Sequence, residues 1–202
     1  MTPAPLLRVQ GLCFLDWGPI DLDLDAAEVV AVSGSSGSGK SLLLRAIADL
    51  DPHRGTLELE GKGSEAFLPP AWRRRVGLVP AASEWWHDTV GSHFVDADAQ
   101  WLEALGFSLE AMRWPVSRLS NGERQRLSLL RTLSVQPRVL LLDEPTASLD
   151  PDSVERVEQL VDAYRREHGA GVVWVSHDAA QRQRVASRSY VMSDRGLVAE
   201  VN

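Results

Sequence analysis

One eight-residue run, Gly34-Ser35-Ser36-Gly37-Ser38-Gly39-Lys40-Ser41, constrains this 202-residue chain more than any other feature. It follows the apolar stretch Val29-Val30-Ala31-Val32 and opens a helical stretch, Ser41 to Leu50. A strand that turns through glycines into a helix is the setting in which the pattern G-x-x-x-x-G-K-[ST] becomes a site rather than a coincidence. The glycines let backbone N–H groups face inward without a Cβ clash, and with the helix N-terminus these form a nest for phosphates. In such a nest Lys40 places its ammonium on the β- and γ-phosphates, and the Ser41 hydroxyl ligates Mg²⁺. An ordinary flexible Gly/Ser turn, the alternative, requires neither the strand before nor the helix after.

Two more uninterrupted apolar runs, Val139-Leu140-Leu141-Leu142 and Val172-Val173-Trp174-Val175, have strand length and suit parallel strands covered on both faces. Asp143 and Glu144 close the first of them. At the carboxyl edge of a parallel sheet they lie beside the phosphate loop, where Asp143 is placed to hold Mg²⁺ and Glu144 to act as general base on a water. Capping of the next helix is the plainer role for the pair.

Ile20 to Asp25 and Thr56 to Glu60 alternate apolar and polar residues, which predicts two strands pairing in a small antiparallel layer. Helices are predicted over Gly122 to Gln136 and over Ser153 to Glu167, with Ser153 as N-cap. Residues 84–120 hold no apolar strand run and read as a helical insertion.

The totals exclude several classes. A net charge of −7 argues against nucleic acid as a partner, because such binding needs a broad positive field; Arg73-Arg74-Arg75 reads as a solvated edge. Cys13 is the only cysteine, so neither an intrachain disulfide nor a multi-Cys zinc site can form. No stretch approaches the roughly 18 apolar residues that span a bilayer, and the N-terminus does not read as a secretion signal, so a cytoplasmic location is expected.

Leu119-Ser120-Asn121-Gly122-Glu123, followed by Arg124-Gln125-Arg126, resembles the signature motif, LSGGQ, of the ATP-binding cassette (ABC) ATPases. Pro145-Thr146-Ala147-Ser148-Leu149-Asp150 resembles that family's D-loop, and Ser176-His177-Asp178 its switch histidine. The resemblance implies an α/β fold: a P-loop NTPase (RecA-like) parallel sheet core with a small antiparallel β layer and a short helical subdomain insertion. As one ABC ATPase domain over 1–202, the core and β layer take about 1–83 and 121–202 and the helical subdomain about 84–120. It also implies ATP and Mg²⁺ as cofactors, and a head-to-tail homodimer in which a second copy supplies Ser120, Asn121, Gly122 and Glu123 to the γ-phosphate. Glu144 and His177 would be catalytic, and Asp150 would serve communication across the dimer.

The family places a glutamine after the strand that corresponds to Val76-Gly77-Leu78-Val79, where this chain has Ala81. Ser83 or Glu84 on the same loop, or a water, is then expected to replace it. Asn121 stands where the family has glycine, and asparagine tolerates the left-handed region. Trp17 or Phe14 would stack on adenine, with Trp17 preferred. Of the neighbours Trp85 and Trp86, one is expected to be exposed as an anchor for a membrane partner.

The chain looks most similar to short stand-alone ABC ATPases, including those of bacterial iron-homeostasis export systems. That implies a subunit peripheral to the inner face of the membrane, powering a separate transmembrane permease. A soluble ABC ATPase not coupled to transport, and an ATP sensor with weak hydrolysis, are the alternatives. A small-molecule kinase or GTPase gives no reason for signature, D-loop and switch histidine in this order.

Overall fold

The computed structural model describes residues 4–193 and 196–200. The chain runs β1 (Leu7–Phe14), β2 (Trp17–Leu24), β3 (Val29–Ser33), α1 (Lys40–Ile47), β4 (Arg54–Leu59), β5 (Lys62–Gly63), α2 (Pro69–Arg75) and β6 (Val76–Val79). Short 3₁₀ turns and α3 (Ala99–Ala104) follow, then α4 (Asn121–Leu133), β7 (Val139–Asp143), α5 (Pro151–His168), β8 (Gly171–Val175), α6 (Ala179–Val185), β9 (Arg188–Ser193) and β10 (Gly196–Ala199).

Two sheets result. One is antiparallel with order β2-β1-β4-β5, and the other has order β10-β9-β3-β8-β7-β6 with every pairing parallel except β10 with β9. Strands β3, β7 and β8 are buried along their whole length, because each face of this sheet has its own core. Val30, Val32, Leu141, Val173 and Val175 face the antiparallel sheet and α1. Their neighbours Val29, Leu140, Leu142, Val172 and Trp174 face α4, α5 and the segment 84–120. The apolar run is continuous because both sets of the period-two pattern are buried.

The order β6-β7-β8-β3 brings four strand ends to one edge. Pro80 and Ala81 leave β6, Glu144 leaves β7, Ser176 and His177 leave β8, and the phosphate loop leaves β3. Such an edge is where open α/β sheets bind ligands.

The sequence expectations need four adjustments. Ile20 and Thr56 belong to strands that do not pair with each other, because β1 lies between them. Gly11, with φ 56°, breaks the alternation of β1, and the register shifts there, which hides the strand from a period-two reading. Helix α5 starts at Pro151 rather than after Ser153: Asp150 is its N-cap, accepting from Ser153 N at 3.0 Å and Ser153 Oγ at 2.8 Å. Proline at the first helical position needs no N–H, so the turn begins there. The signature helix starts at Asn121, whose backbone is helical, so this position does not call on asparagine's tolerance of the left-handed region.

Candidate functional site

The phosphate loop holds glycine where its backbone demands it. Gly34 has φ 146°, and a Cβ there would lie 2.6 Å from Met192 O and 2.7 Å from Ser38 Oγ. Gly39, with φ 92°, begins α1 without a side-chain cap, so the first-turn N–H groups stay available to an anion. A Cβ on Gly39 would meet the Trp17 ring at 3.0 Å, which fixes that indole over the loop. Phe14 is only 3% exposed and part of the core beneath the antiparallel sheet, so of the two candidate aromatics it is Trp17 that faces the loop.

Lys40 is buried, and its Nζ donates to Gly34 O at 2.8 Å and Ser35 O at 2.9 Å. Burial pulls its pKa below the usual lysine value, while the carboxylates of Glu144 and Asp143 work the other way. Ser38 Oγ is a further buried polar atom with no protein partner.

One open cavity of about 270 Å³ gathers Ser36 to Leu42, Ala81, Asp143, Glu144 and His177. Asp143 is 6% exposed at the end of β7. Glu144 adopts φ 47°, a region that a non-glycine residue occupies only when its surroundings hold it. Its N–H donates to Val175 O at 3.1 Å, continuing the β7–β8 ladder. Its Oε1 is buried without a hydrogen bond and lies 3.4 Å from His177 Nε2. Burial raises the Glu144 carboxyl above the usual carboxylate range, against the pull of His177. A desolvated carboxylate with an unused oxygen is a stronger proton acceptor than a solvated one.

A Mg²⁺ fits the donors here. A serine hydroxyl and a carboxylate are hard oxygen donors, which suit a small cation that keeps phosphate and water ligands. Ser41 and Asp143, both on the cavity wall, would be the protein oxygens to hold it.

Ser120, Asn121, Gly122 and Glu123 do not line this cavity. Ser120 caps α4 in a capping box: its N–H donates to Glu123 Oε2 at 2.8 Å, and its Oγ accepts from Glu123 N at 3.2 Å. The pattern S-x-x-E gives this away in sequence. A Cβ on Gly122 would lie 3.2 Å from Leu149, so the signature helix abuts the turn that ends at Asp150. Asp150 is exposed and acts as the cap of α5.

Neither Ser83 nor Glu84 takes the place of the missing glutamine. Ser83 Oγ accepts from Trp85 Nε1 at 3.1 Å, Glu84 is exposed with its carbonyl accepting from Arg131, and neither lines the cavity. Ala81 does line it. Beyond, Trp86 is 67% exposed while Trp85 packs into the second core, with the Arg131 guanidinium over both rings.

His93 escaped sequence reasoning. Its Nε2 accepts from both Trp86 N and His87 N at 3.0 Å, so Nδ1 carries the proton and donates to Thr89 O at 3.0 Å. Burial, first of all, holds its pKa below the ordinary 6.5. Protonation would aim an Nε2–H at two other N–H groups. With a lowered folded pKa, the contribution of His93 to stability is complete above about pH 6.5 and lost as pH falls through the lowered value. Urea unfolding at pH 8, 6.5 and 5.5 is expected to show wild-type stability falling with acidity more steeply than that of His93→Ala; parallel pH curves would contradict this.

Residues 18–147 match the family described as "ABC transporter". Protein STAR1 of Oryza sativa is 39% identical over 203 residues, covering 91% of this chain and 59% of the relative. Aliphatic sulfonates import ATP-binding protein SsuB 3 of Nocardia farcinica is 40% identical over 185 residues (90% and 72%). The probable iron export ATP-binding protein FetA of Escherichia coli is 33% identical over 193 residues (87% and 86%). This chain therefore spans between about three fifths and nine tenths of these relatives' lengths. In three dimensions it superposes on an "ATP binding subunit of ABC transporter" with TM-score 0.83 at 21% identity, covering 97% of this chain and 90% of that one. It also superposes on cbiO1 of Clostridium perfringens, "part of the ABC transporter complex cbiONQ", with TM-score 0.79 at 22% identity (97% and 88%).

Proposed function

The chain belongs to the ABC transporter family of ATP-binding ATPases, and from that premise we propose that it hydrolyses Mg-ATP between two copies of itself to drive a membrane permease carried on a separate chain. The observation that carries the reading is the single cavity shared by Lys40, Asp143, Glu144 and His177. Triphosphate binding, metal binding, proton abstraction and water orientation are all supplied around one space.

Lys40 exchanges its carbonyl partners for phosphate oxygens, with the amides of 34–41 around them and Trp17 against the base. A Mg²⁺ held by Ser41 and Asp143 supplies charge neutralisation on the phosphates. Glu144 takes the proton of the attacking water, and His177, its ring at the mouth of the cavity, orients that water and the terminal phosphate. Ser120 to Glu123, turned away from this cavity, serve the site of the second copy.

Among the described residues no helix is long and apolar enough to cross a membrane; the scheme places the transmembrane path on another chain. Exposed Trp86 on the loop after Ala81 offers the permease an aromatic anchor, and the chain sits on the cytoplasmic face. Relatives named for import and for export match alike, and the cargo is left to the permease.

Phosphate release by the purified chain, measured against Mg²⁺ concentration at saturating ATP, tests this reading. Turnover is expected to require Mg²⁺, and Ala81→Gln, which adds a ligand oxygen at the cavity wall, is expected to shift half-saturation to lower Mg²⁺ by about threefold to tenfold. No phosphate release at any Mg²⁺ concentration would remove the ATPase reading; an unshifted curve for the variant would remove only the role given to position 81.

A further inference from the structure

Gln181 lies outside every motif of the sequence, yet it joins the two arms of the site. We propose that it is a positioning residue for hydrolysis, holding the turn that carries Glu144 in register with the segment that carries His177. The inference rests on the ATPase reading above.

Gln181 sits in α6 and is 2% exposed. Its Nε2 donates to Glu158 Oε1 on α5 at 2.8 Å and to Thr146 Oγ1 at 3.0 Å, and Thr146 Oγ1 donates to Gln181 Oε1 at 3.2 Å. Glu158 is itself fixed from the other side by Arg184, whose Nε and Nη2 donate to it at 3.0 and 2.8 Å. A primary amide offers two donors and an acceptor at one point, which these three contacts use. A leucine would leave a buried hydroxyl unpaired, and a carboxylate would face Glu158 at hydrogen-bond distance.

The placement gives these bonds a consequence. Thr146 stands two residues after Glu144, whose left-handed backbone must be held on both sides. On the near side its N–H is tied to Val175 O; on the far side the first side-chain anchor is Thr146 to Gln181. The backbone of Gln181 meanwhile ends in the cap beside His177: Asp178 Oδ1 accepts from Ala180 N at 2.8 Å and Gln181 N at 3.1 Å, and Asp178 N donates to Ser176 Oγ at 3.1 Å. One residue therefore reaches the base through its side chain and the histidine through its backbone. The quantity it sets is the 3.4 Å approach of Glu144 Oε1 and His177 Nε2. Gln181 does not line the nucleotide cavity, so it acts on kcat and not on ATP binding.

Steady-state kinetics of four variants tests this. Gln181→Leu and Thr146→Val are each expected to lower kcat roughly tenfold, as small displacements of reacting groups do, with KM for Mg-ATP within about twofold of wild type. The double variant loses no more than the worse single one, because both remove the same tie. Thr146→Ser keeps the hydroxyl and wild-type kcat. Wild-type kcat in folded Gln181→Leu or Thr146→Val, additive losses in the double variant, or equal losses for Thr146→Val and Thr146→Ser would overturn the proposal. The hydroxyl pair at position 146 decides the matter even if Gln181→Leu fails to fold. A wild-type chain that releases no phosphate would instead overturn the ATPase reading itself.

Discussion

Glu144→Gln is expected to bind Mg-ATP as tightly as the wild type, to lose about 10²–10⁴-fold in turnover, and to run as a dimer whenever ATP is present. The amide has the shape of the carboxylate and keeps the left-handed turn, but it cannot accept the proton of the attacking water. The environment argues that proton transfer is what this side chain is built for. Its Oε1 is buried without a hydrogen bond and lies 3.4 Å from His177 Nε2, and its carboxyl is raised by that burial. A carboxylate kept only as a helix cap would bond the N–H groups of the helix it opens, as Asp150 and Asp178 do. Removing the charge beside Asp143 also lowers the repulsion that a bound triphosphate meets, so the closed dimer outlives the wild type's. Nucleotide binding measured together with size-exclusion chromatography checks both parts. A monomer at saturating Mg-ATP, or a turnover loss of only a few fold, would sink the assignment of Glu144 as base.

How much of this was legible beforehand depended on which residues carried the signal. The phosphate loop and the three buried parallel strands could be read directly, because a glycine pattern and a two-faced apolar run each have one physical meaning in that context. The antiparallel layer was legible only in part. The alternation of β1 is interrupted at Gly11, so the strand at its centre went unseen while its neighbours Ile20 and Thr56 were found. The two helix starts differ by one to three residues from the expected Gly122 and Ser153, because Ser120 with Glu123, and Asp150 with Pro151, are two-residue signals. Phe14 and Trp17 have similar local sequence contexts, and only the packing beneath β1 separates a core ring from one on the loop. His93 and Gln181 were invisible for another reason. Their roles lie in partners six or more residues away, Trp86 and His87 for one, Thr146 and Glu158 for the other, and no local pattern encodes such distances.

The proposal that each site is shared between two chains has a consequence that a self-contained site does not. Lys40→Ala removes the ammonium from the phosphate loop, and Ser120→Arg places a bulky cation where the second copy's phosphates would lie, so each variant alone is expected to lose ATPase activity almost completely. Mixed in equal amounts, half of the dimers pair one of each. In such a dimer one site carries both lesions and the other neither, so about a quarter of wild-type turnover returns if the sites work independently. A site completed within one chain predicts no recovery, since every chain then carries a lesion in its own site. The converse mixture sharpens the choice. With both substitutions on one chain and wild type as the other, shared sites leave every mixed dimer with one lesion per site and inactive, whereas self-contained sites leave it half active. The geometry favours the first outcome: Ser120 to Glu123 stand apart from the cavity of Lys40, Asp143, Glu144 and His177. Gly122 approaches Leu149 on the turn that ends at Asp150, so the signature and D-loop segments adjoin on a face that can meet a second copy. Absence of recovery in the first mixture, with mixed dimers demonstrated by differential tagging, would show the phosphate loop to be a whole site and not half of one.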